Sequence, residues 1–395
     1  MLKKRSIYNT IKKDLTSKMV FIGGPRQVGK TSLATSIGET EYKNPIYLNW
    51  DNTEQRKQIL HGRFPAQTDL VVFDEIHKYK KWKNHIKGIF DTHKNQFAII
   101  VTGSARLDLY RRGGDSLMGR YFYHRLHPFS QAELLLQKQN IHILKQLSFP
   151  QTSPKNGATI FDALFEFGGF PEPYSAKNLR TLRRWQNQRI ERLITEDIRD
   201  IELVRDISAL QILVTLLPQK VGSLLSLNSL REDLQVTHKT ISLWMDILER
   251  FYYHFRIPPF MANEIKSLRK EQKMYLWDWS EVSDEHGARL ENMIASHLLK
   301  FVHFLYDVHG YKANLYYLRD IQGREVDFLV TINKKPWFAV EVKNNCANTT
   351  SKHLHYFKNK LDIPYVYQVI KQKNIHDIQG DIHIISADLF LSGLV

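Results

Sequence analysis

Apolar residues in this chain follow two rhythms. Through the first hundred residues they form short unbroken runs, Met19-Val20-Phe21-Ile22, Leu70-Val71-Val72-Phe73 and Phe97-Ala98-Ile99-Ile100-Val101. Such runs predict strands buried on both faces. Helix-like segments such as Ser32-Leu33-Ala34-Thr35-Ser36-Ile37 alternate with them, which predicts an α/β domain with a parallel sheet and helices on both faces. From about Phe161 to Asp200 the pattern is helical and highly charged, with the run Arg180-Thr181-Leu182-Arg183-Arg184-Trp185. Helices are predicted over Leu227–Leu234 and Thr237–Leu248, the second capped by Thr237, and a strand over Tyr252–Ile257 before Pro258-Pro259. After about residue 285 the order is a helix from Ala288 to Tyr306, strands near Leu315, Asp327 and Glu341, a helix from Leu354 to Leu361 and a strand over Tyr365–Ile370. The polar stretch Gln151–Gly157 is the expected linker.

The first strand runs into Gly24-Pro25-Arg26-Gln27-Val28-Gly29-Lys30-Thr31, the phosphate-loop pattern G-x-x-x-x-G-K-[ST]. A glycine-rich turn lets backbone N–H groups converge on phosphate oxygens, and the following helix points its positive end at them. Lys30 is the expected contact to the β- and γ-phosphates of ATP, and the Thr31 hydroxyl an expected ligand of Mg²⁺. The second run ends in Asp74-Glu75. Asp74 would hold Mg²⁺ through water, and Glu75 is the candidate base that orients the attacking water. The third run ends in Thr102-Gly103-Ser104, where Ser104 is a candidate to sense the γ-phosphate or hold the lytic water.

A second chemistry lies near the C-terminus. Asp327 and Glu341 sit on two strand-like runs around Asn333-Lys334-Lys335. A hairpin symmetric about Lys334 would set the two carboxylates opposite one another, Cβ atoms about 5 Å apart, with Lys343 on the same face. Facing carboxylates beside an ammonium suit Mg²⁺, with Glu291 as a further metal-side carboxylate and Lys343 orienting or deprotonating water. This is the PD-(D/E)xK nuclease pattern, and α-β-β-β-α-β is the order of a restriction-endonuclease core. The middle helices with their strand make a winged-helix candidate. Its second helix would either present His238, Lys239 and Thr240 to DNA or serve packing and oligomerisation, for which Asp246 and Glu249 argue.

The series from Gly24 to Thr31, then Asp74-Glu75-Ile76-His77-Lys78, Thr102-Gly103-Ser104, Ser116-Leu117-Met118-Gly119-Arg120, and His127-Pro128-Phe129-Ser130 with Glu133 resembles a family of prokaryotic AAA+-type ATPases. Gly168-Gly169-Phe170-Pro171-Glu172 also matches a motif of that family. Its members carry a C-terminal domain of unassigned function that resembles a restriction endonuclease. The resemblance implies a homo-oligomeric ATPase in which Arg120 is a candidate arginine finger; Arg112, Arg199 and a plain salt bridge compete for that assignment. The expected domains are a P-loop ATPase core (1–150), a helical lid or linker (158–210), a winged-helix domain (211–284) and a restriction-endonuclease-like domain (285–395).

Charge adds a partner. A formal net charge of +15 favours an acidic one, and DNA is the expectation. The single cysteine, Cys346, excludes an internal disulfide framework and a cysteine-based zinc site. No apolar run reaches membrane-span length, and Met1-Leu2-Lys3-Lys4-Arg5 leads into polar residues, so a cytoplasmic location without membrane contact is expected. Two outcomes stay open for the whole chain. Either an ATPase acts on DNA with metal-dependent cleavage, or a regulatory or scaffold ATPase switches a protein assembly beside a silent nuclease-like domain.

Overall fold

The computed structural model describes residues 5–103, 117–137, 141–198, 204, 206–261, 267, 270–284, 287–344 and 350–395. Contacts divide the chain into two compact units, Met1–His127 with Arg250–Tyr252, and Pro128–Glu249 with Tyr253–Val395.

The first unit runs α1 (Tyr8–Asp14), β1 (Met19–Gly23), α2 (Lys30–Glu41), β2 (Pro45–Asn49), α3 (Thr53–His61), β3 (Leu70–Asp74), α4 (Trp82–His93), β4 (Ala98–Gly103) and β5 (Tyr121–Arg125). The five strands form one parallel sheet in the order β2-β3-β4-β1-β5. Strand alternation sends Phe21, Val71, Phe73, Ile99 and Val101 to one face, where Ile59 of α3 and Trp82, Ile86 and Ile89 of α4 cover them. Helix α2 packs against β3 and β4. Chain connections leave β1 and β4, neighbours in the sheet, in opposite directions, which puts a topological switch point at the C-terminal end of β1.

The second unit begins with α5 (Gln131–Leu134), α6 (Gly157–Phe167), α7 (Pro171–Ala176) and α8 (Leu179–Arg192). It continues through α9 (Ile207–Leu216), α10 (Leu227–Leu234), α11 (His238–Arg250) and an antiparallel pair, β6 (His254–Ile257) with β7 (Lys273–Leu276). The Thr237 hydroxyl accepts from the Thr240 N–H at 3.1 Å, capping α11. A mixed six-stranded sheet follows, in the order β12-β13-β11-β10-β9-β8. Its elements are α12 (Ala288–His309), β8 (Ala313–Arg319), β9 (Glu325–Ile332), β10 (Lys335–Lys343), α13 (Lys352–Leu361), β11 (Tyr365–Ile370), β12 (His376–Gln379), β13 (Ile382–Ser386) and α14 (Ala387–Ser392). Leu354 and Phe357 of α13 pack on Leu329, Ala339 and Val366.

The β9–β10 hairpin corrects the expected turn. Asn333 and Lys334 both take positive φ, 50° and 70°, and Lys335 pairs with Ile332, so the loop has two residues and is not centred on Lys334. A bulge between Pro336 and Phe338 then shifts the register by one, giving Val340↔Phe328. Carried one step further, that register sets Glu341 opposite Asp327. The bulge also sends the consecutive Trp337 and Phe338 toward Phe301 of α12, ring centroids 5.8 and 6.2 Å away.

Candidate functional site

The loop between β1 and α2 has the geometry of an anion cradle. Gly24 has φ 151°, and a Cβ there would sit 2.3 Å from the Leu126 carbonyl oxygen, so only glycine fits. Gln27 (φ 63°) and Gly29 (φ 99°) are also left-handed, turning successive N–H groups inward ahead of α2. The Lys30 side chain is buried, 5% exposed, and its ammonium donates to the carbonyls of Gly24 and Pro25 at 3.1 and 2.8 Å. Arg5 braces the loop from the chain start, donating to the Val28 carbonyl at 3.0 Å and to the His127 carbonyl.

Asp74 lies at the centre of a hydroxyl cluster. Its Oδ2 accepts from Thr31 at 2.9 Å and from Tyr47 at 2.5 Å, and its Oδ1 accepts from Thr102. Burial, and then the bond to Asp74, raises the Tyr47 phenol, which keeps its proton and donates. Thr31 and Asp74 thus bring hard oxygens together at the mouth of the cradle. That donor set fits Mg²⁺.

Glu75 follows in the left-handed region, φ 56° and ψ 19°, which costs a non-glycine residue about 1 kcal/mol. Its carboxylate is 21% exposed, and His77 Nε2 lies 3.6 Å from Oε2. Burial lowers the His77 pKa against the opposing charge of Glu75, so the ring is neutral at pH 7. Arg120 makes two hydrogen bonds to Asp91, at 2.8 and 3.1 Å. Ser104, Arg112 and Arg199 lie outside the described residues, as does Cys346.

In the second unit, Asp327, Glu291 and Glu341 converge from β9, α12 and β10, but a cation is already among them. Lys273, the first residue of β7 and only 3% exposed in its side chain, approaches Glu325 at 2.7 Å and Glu291 and Asp327 at 3.3 Å each. The Tyr275 hydroxyl donates to Glu291 at 2.7 Å, and Asp327 Oδ2 accepts from the Val342 N–H at 2.9 Å. Lys343 pairs with Glu341 Oε1 at 2.5 Å, which leaves Glu341 Oε2 buried without a hydrogen-bond partner. Burial pushes Glu291 upward, with Asp327 adding to it and Lys273 opposing. Burial works against the Lys273 charge, yet the three carboxylates outweigh it and its pKa is raised. Glu341 likewise holds Lys343 raised against burial, so Lys343 is an ammonium and no base.

The arrangement does not fit a divalent metal. Both Asp327 oxygens and Glu291 Oε1 already serve Lys273, Val342 and Tyr275, and Glu341 Oε1 serves Lys343. Among the described residues, no group of three or more His, Cys, Asp or Glu side chains is set to hold a metal ion. Sequence reasoning overlooked Lys273, Tyr47 and Arg5, which no local pattern marks. Glu325 was overlooked too, although its place two residues before Asp327 on the same strand face was a signal for it.

Residues 16–135 match the profile of the AAA domain. With the parallel sheet and the loop at its switch point, this segment is a P-loop ATPase domain of the AAA type. Residues 158–282 and 286–390 match two domains of unknown function, DUF8612 and DUF4143. The uncharacterized protein Rv2008c of Mycobacterium tuberculosis is 21% identical over 356 residues, covering 85% of this chain and 72% of its own length. The uncharacterized protein MJ1637 of Methanocaldococcus jannaschii is 24% identical over 353 residues, with coverages of 76% and 73%. Among solved structures, the Thermotoga maritima RuvB Holliday junction branch migration motor aligns with a TM-score of 0.30 and 18% identity, over 67% of this chain and 95% of that one. Similarity at that level says nothing about activity. No helix among the described residues is long and apolar enough to cross a membrane.

Proposed function

We propose that this chain is an ATP-hydrolysing enzyme whose second unit engages DNA. The observation that carries the ATPase assignment is the 2.9 Å hydrogen bond from Thr31 to Asp74, which joins the phosphate loop to the acidic end of β3. Gly24 to Thr31 bind the triphosphate: backbone N–H groups take the oxygens, and Lys30 exchanges its loop carbonyls for the β- and γ-phosphates. Thr31 and Asp74 hold Mg²⁺, which when bound neutralises charge developing on the phosphates. Glu75, fixed by its left-handed backbone, accepts the proton of the attacking water, with the neutral His77 ring beside it. Ser104 and Arg120 complete the assignment as sensor and finger; for Arg120 to act on a neighbouring copy, its pair with Asp91 has to open.

For the second unit, three helices followed by β6–β7 support a winged-helix reading of residues 211–284, with His238 and Lys239 exposed at the start of α11. The order α12-β8-β9-β10-α13-β11 supports a restriction-endonuclease-like core for residues 285–395. The net charge of +15 supports DNA as the partner. Cleavage is not assigned, because the carboxylates that would hold its metal surround Lys273. The test is phosphate release from ATP and Mg²⁺ by the wild type and Lys30→Ala, with and without duplex DNA. Turnover that disappears in the variant and rises with DNA supports the proposal. Turnover indifferent to Lys30 sinks it, and turnover indifferent to DNA leaves an ATPase that switches a protein assembly.

A further inference from the structure

Resting on the nuclease-like reading of residues 285–395, we infer that Lys273 is a built-in counter-cation that occupies the carboxylate cluster in place of a divalent metal and so keeps the domain metal-free. An ammonium has three protons, and Lys273 meets three carboxylates, so its hydrogen-bonding capacity is filled. A divalent ion would need Asp327 Oδ1 at about 2.0–2.6 Å, the oxygen that already faces Lys273. Two cations cannot share that oxygen without strong repulsion at short range.

Nor is Lys273 a surface arm that could swing away. Its backbone pairs with Ile257 in β6 and bridges to Leu224, and its side chain is buried beneath the strand. Gly222 closes the far side of Glu291: its φ is +75°, and a Cβ there would stand 3.2 Å from Glu291 Oε1. The charges agree with this arrangement. Glu291, Glu325, Asp327 and Glu341 face Lys273, Lys343 and Arg319, so most of the carboxylate charge is already balanced by side-chain cations. The same contact fastens β6–β7 to the six-stranded sheet, so the cluster works as a staple between elements, with no vacancy for a metal cofactor.

The experiment titrates Mn²⁺ into nucleotide-free full-length protein, read by calorimetry and by the thermal midpoint. It compares wild type, Asp327→Asn, Lys273→Met, and Lys273→Met with Glu325→Gln, which removes one carboxylate together with the ammonium so that the cluster keeps its wild-type net charge. The expected result is no Mn²⁺ site in wild type that Asp327→Asn abolishes. The Lys273 variants gain one Mn²⁺ per chain and a higher midpoint with Mn²⁺, both lost again when Asp327→Asn is added. A saturable wild-type site lost in Asp327→Asn overturns the role of Lys273 while keeping the nuclease-like reading. A folded Lys273→Met/Glu325→Gln protein that binds no Mn²⁺ overturns that reading too. If neither Lys273 variant folds, the comparison of wild type with Asp327→Asn decides alone. ATP turnover on the same preparations reports the first unit separately, so its failure is not confused with either outcome.

Discussion

Glu75 offers the sharpest quantitative test, because its proposed role and its backbone strain can be separated. In Glu75→Gln the side chain keeps its size and the backbone its φ of 56°, while the proton acceptor is lost. A positioned general base contributes roughly 10²–10⁴-fold, about 3–5 kcal/mol of barrier, so turnover should fall by that factor. Nucleotide affinity should stay within about threefold, since Lys30, Thr31 and Asp74 are untouched. Glu75→Gly removes the same base and also relieves about 1 kcal/mol of left-handed strain, which offsets the flexibility glycine adds to the unfolded chain. It should therefore be as inactive as Glu75→Gln yet within about 1 kcal/mol of wild-type stability. Phosphate release under saturating ATP, fluorescent-nucleotide titration and urea unfolding supply the three numbers. Turnover within threefold of wild type in Glu75→Gln would refute the assignment. Equal loss of nucleotide affinity and turnover would show that Glu75 acts through binding.

Other consequences are open to direct measurement. Lys300 is buried, and its ammonium donates to Glu133 and Ser130 at 2.8 Å each; Lys300→Met takes that cation away from a carboxylate that is 1% exposed and should cost about 3–5 kcal/mol, lowering the thermal midpoint by roughly 10 °C, with part recovered in Lys300→Met/Glu133→Gln. His297 accepts the Gln131 N–H at Nε2 and is paired with the Met293 carbonyl through Nδ1, and burial lowers its pKa to about 3. A base with a depressed folded pKa contributes stability that is present above its unfolded value near 6.5 and lost as pH falls, by up to about 1.4 kcal/mol per unit; His297→Gln should flatten that slope in urea midpoints taken from pH 7 to 4. Duplex affinity should drop steeply and log-linearly with salt, and a flat dependence would remove DNA phosphates as the ligand.

How much the sequence settled differs between the two sites for a physical reason. The phosphate loop, Asp74 and the parallel sheet were legible because each depends on local constraints: glycines that take left-handed φ, apolar runs of strand length, and acidic residues at a strand end. The register that faces Asp327 with Glu341 was anticipated from hairpin symmetry, although a two-residue turn plus a bulge at Trp337 produces it. Tertiary structure alone decided what surrounds those carboxylates. Lys273 lies 54 residues before Asp327, on a different sheet, and nothing in its neighbours Gln272 and Met274 distinguishes it from a surface lysine. The motif Asp327, Glu341, Lys343 records which groups are available for chemistry. Whether they meet a metal or an internal ammonium depends on burial and packing between Lys273 and residues 18 to 54 positions further on, and periodicity along the chain does not encode those contacts.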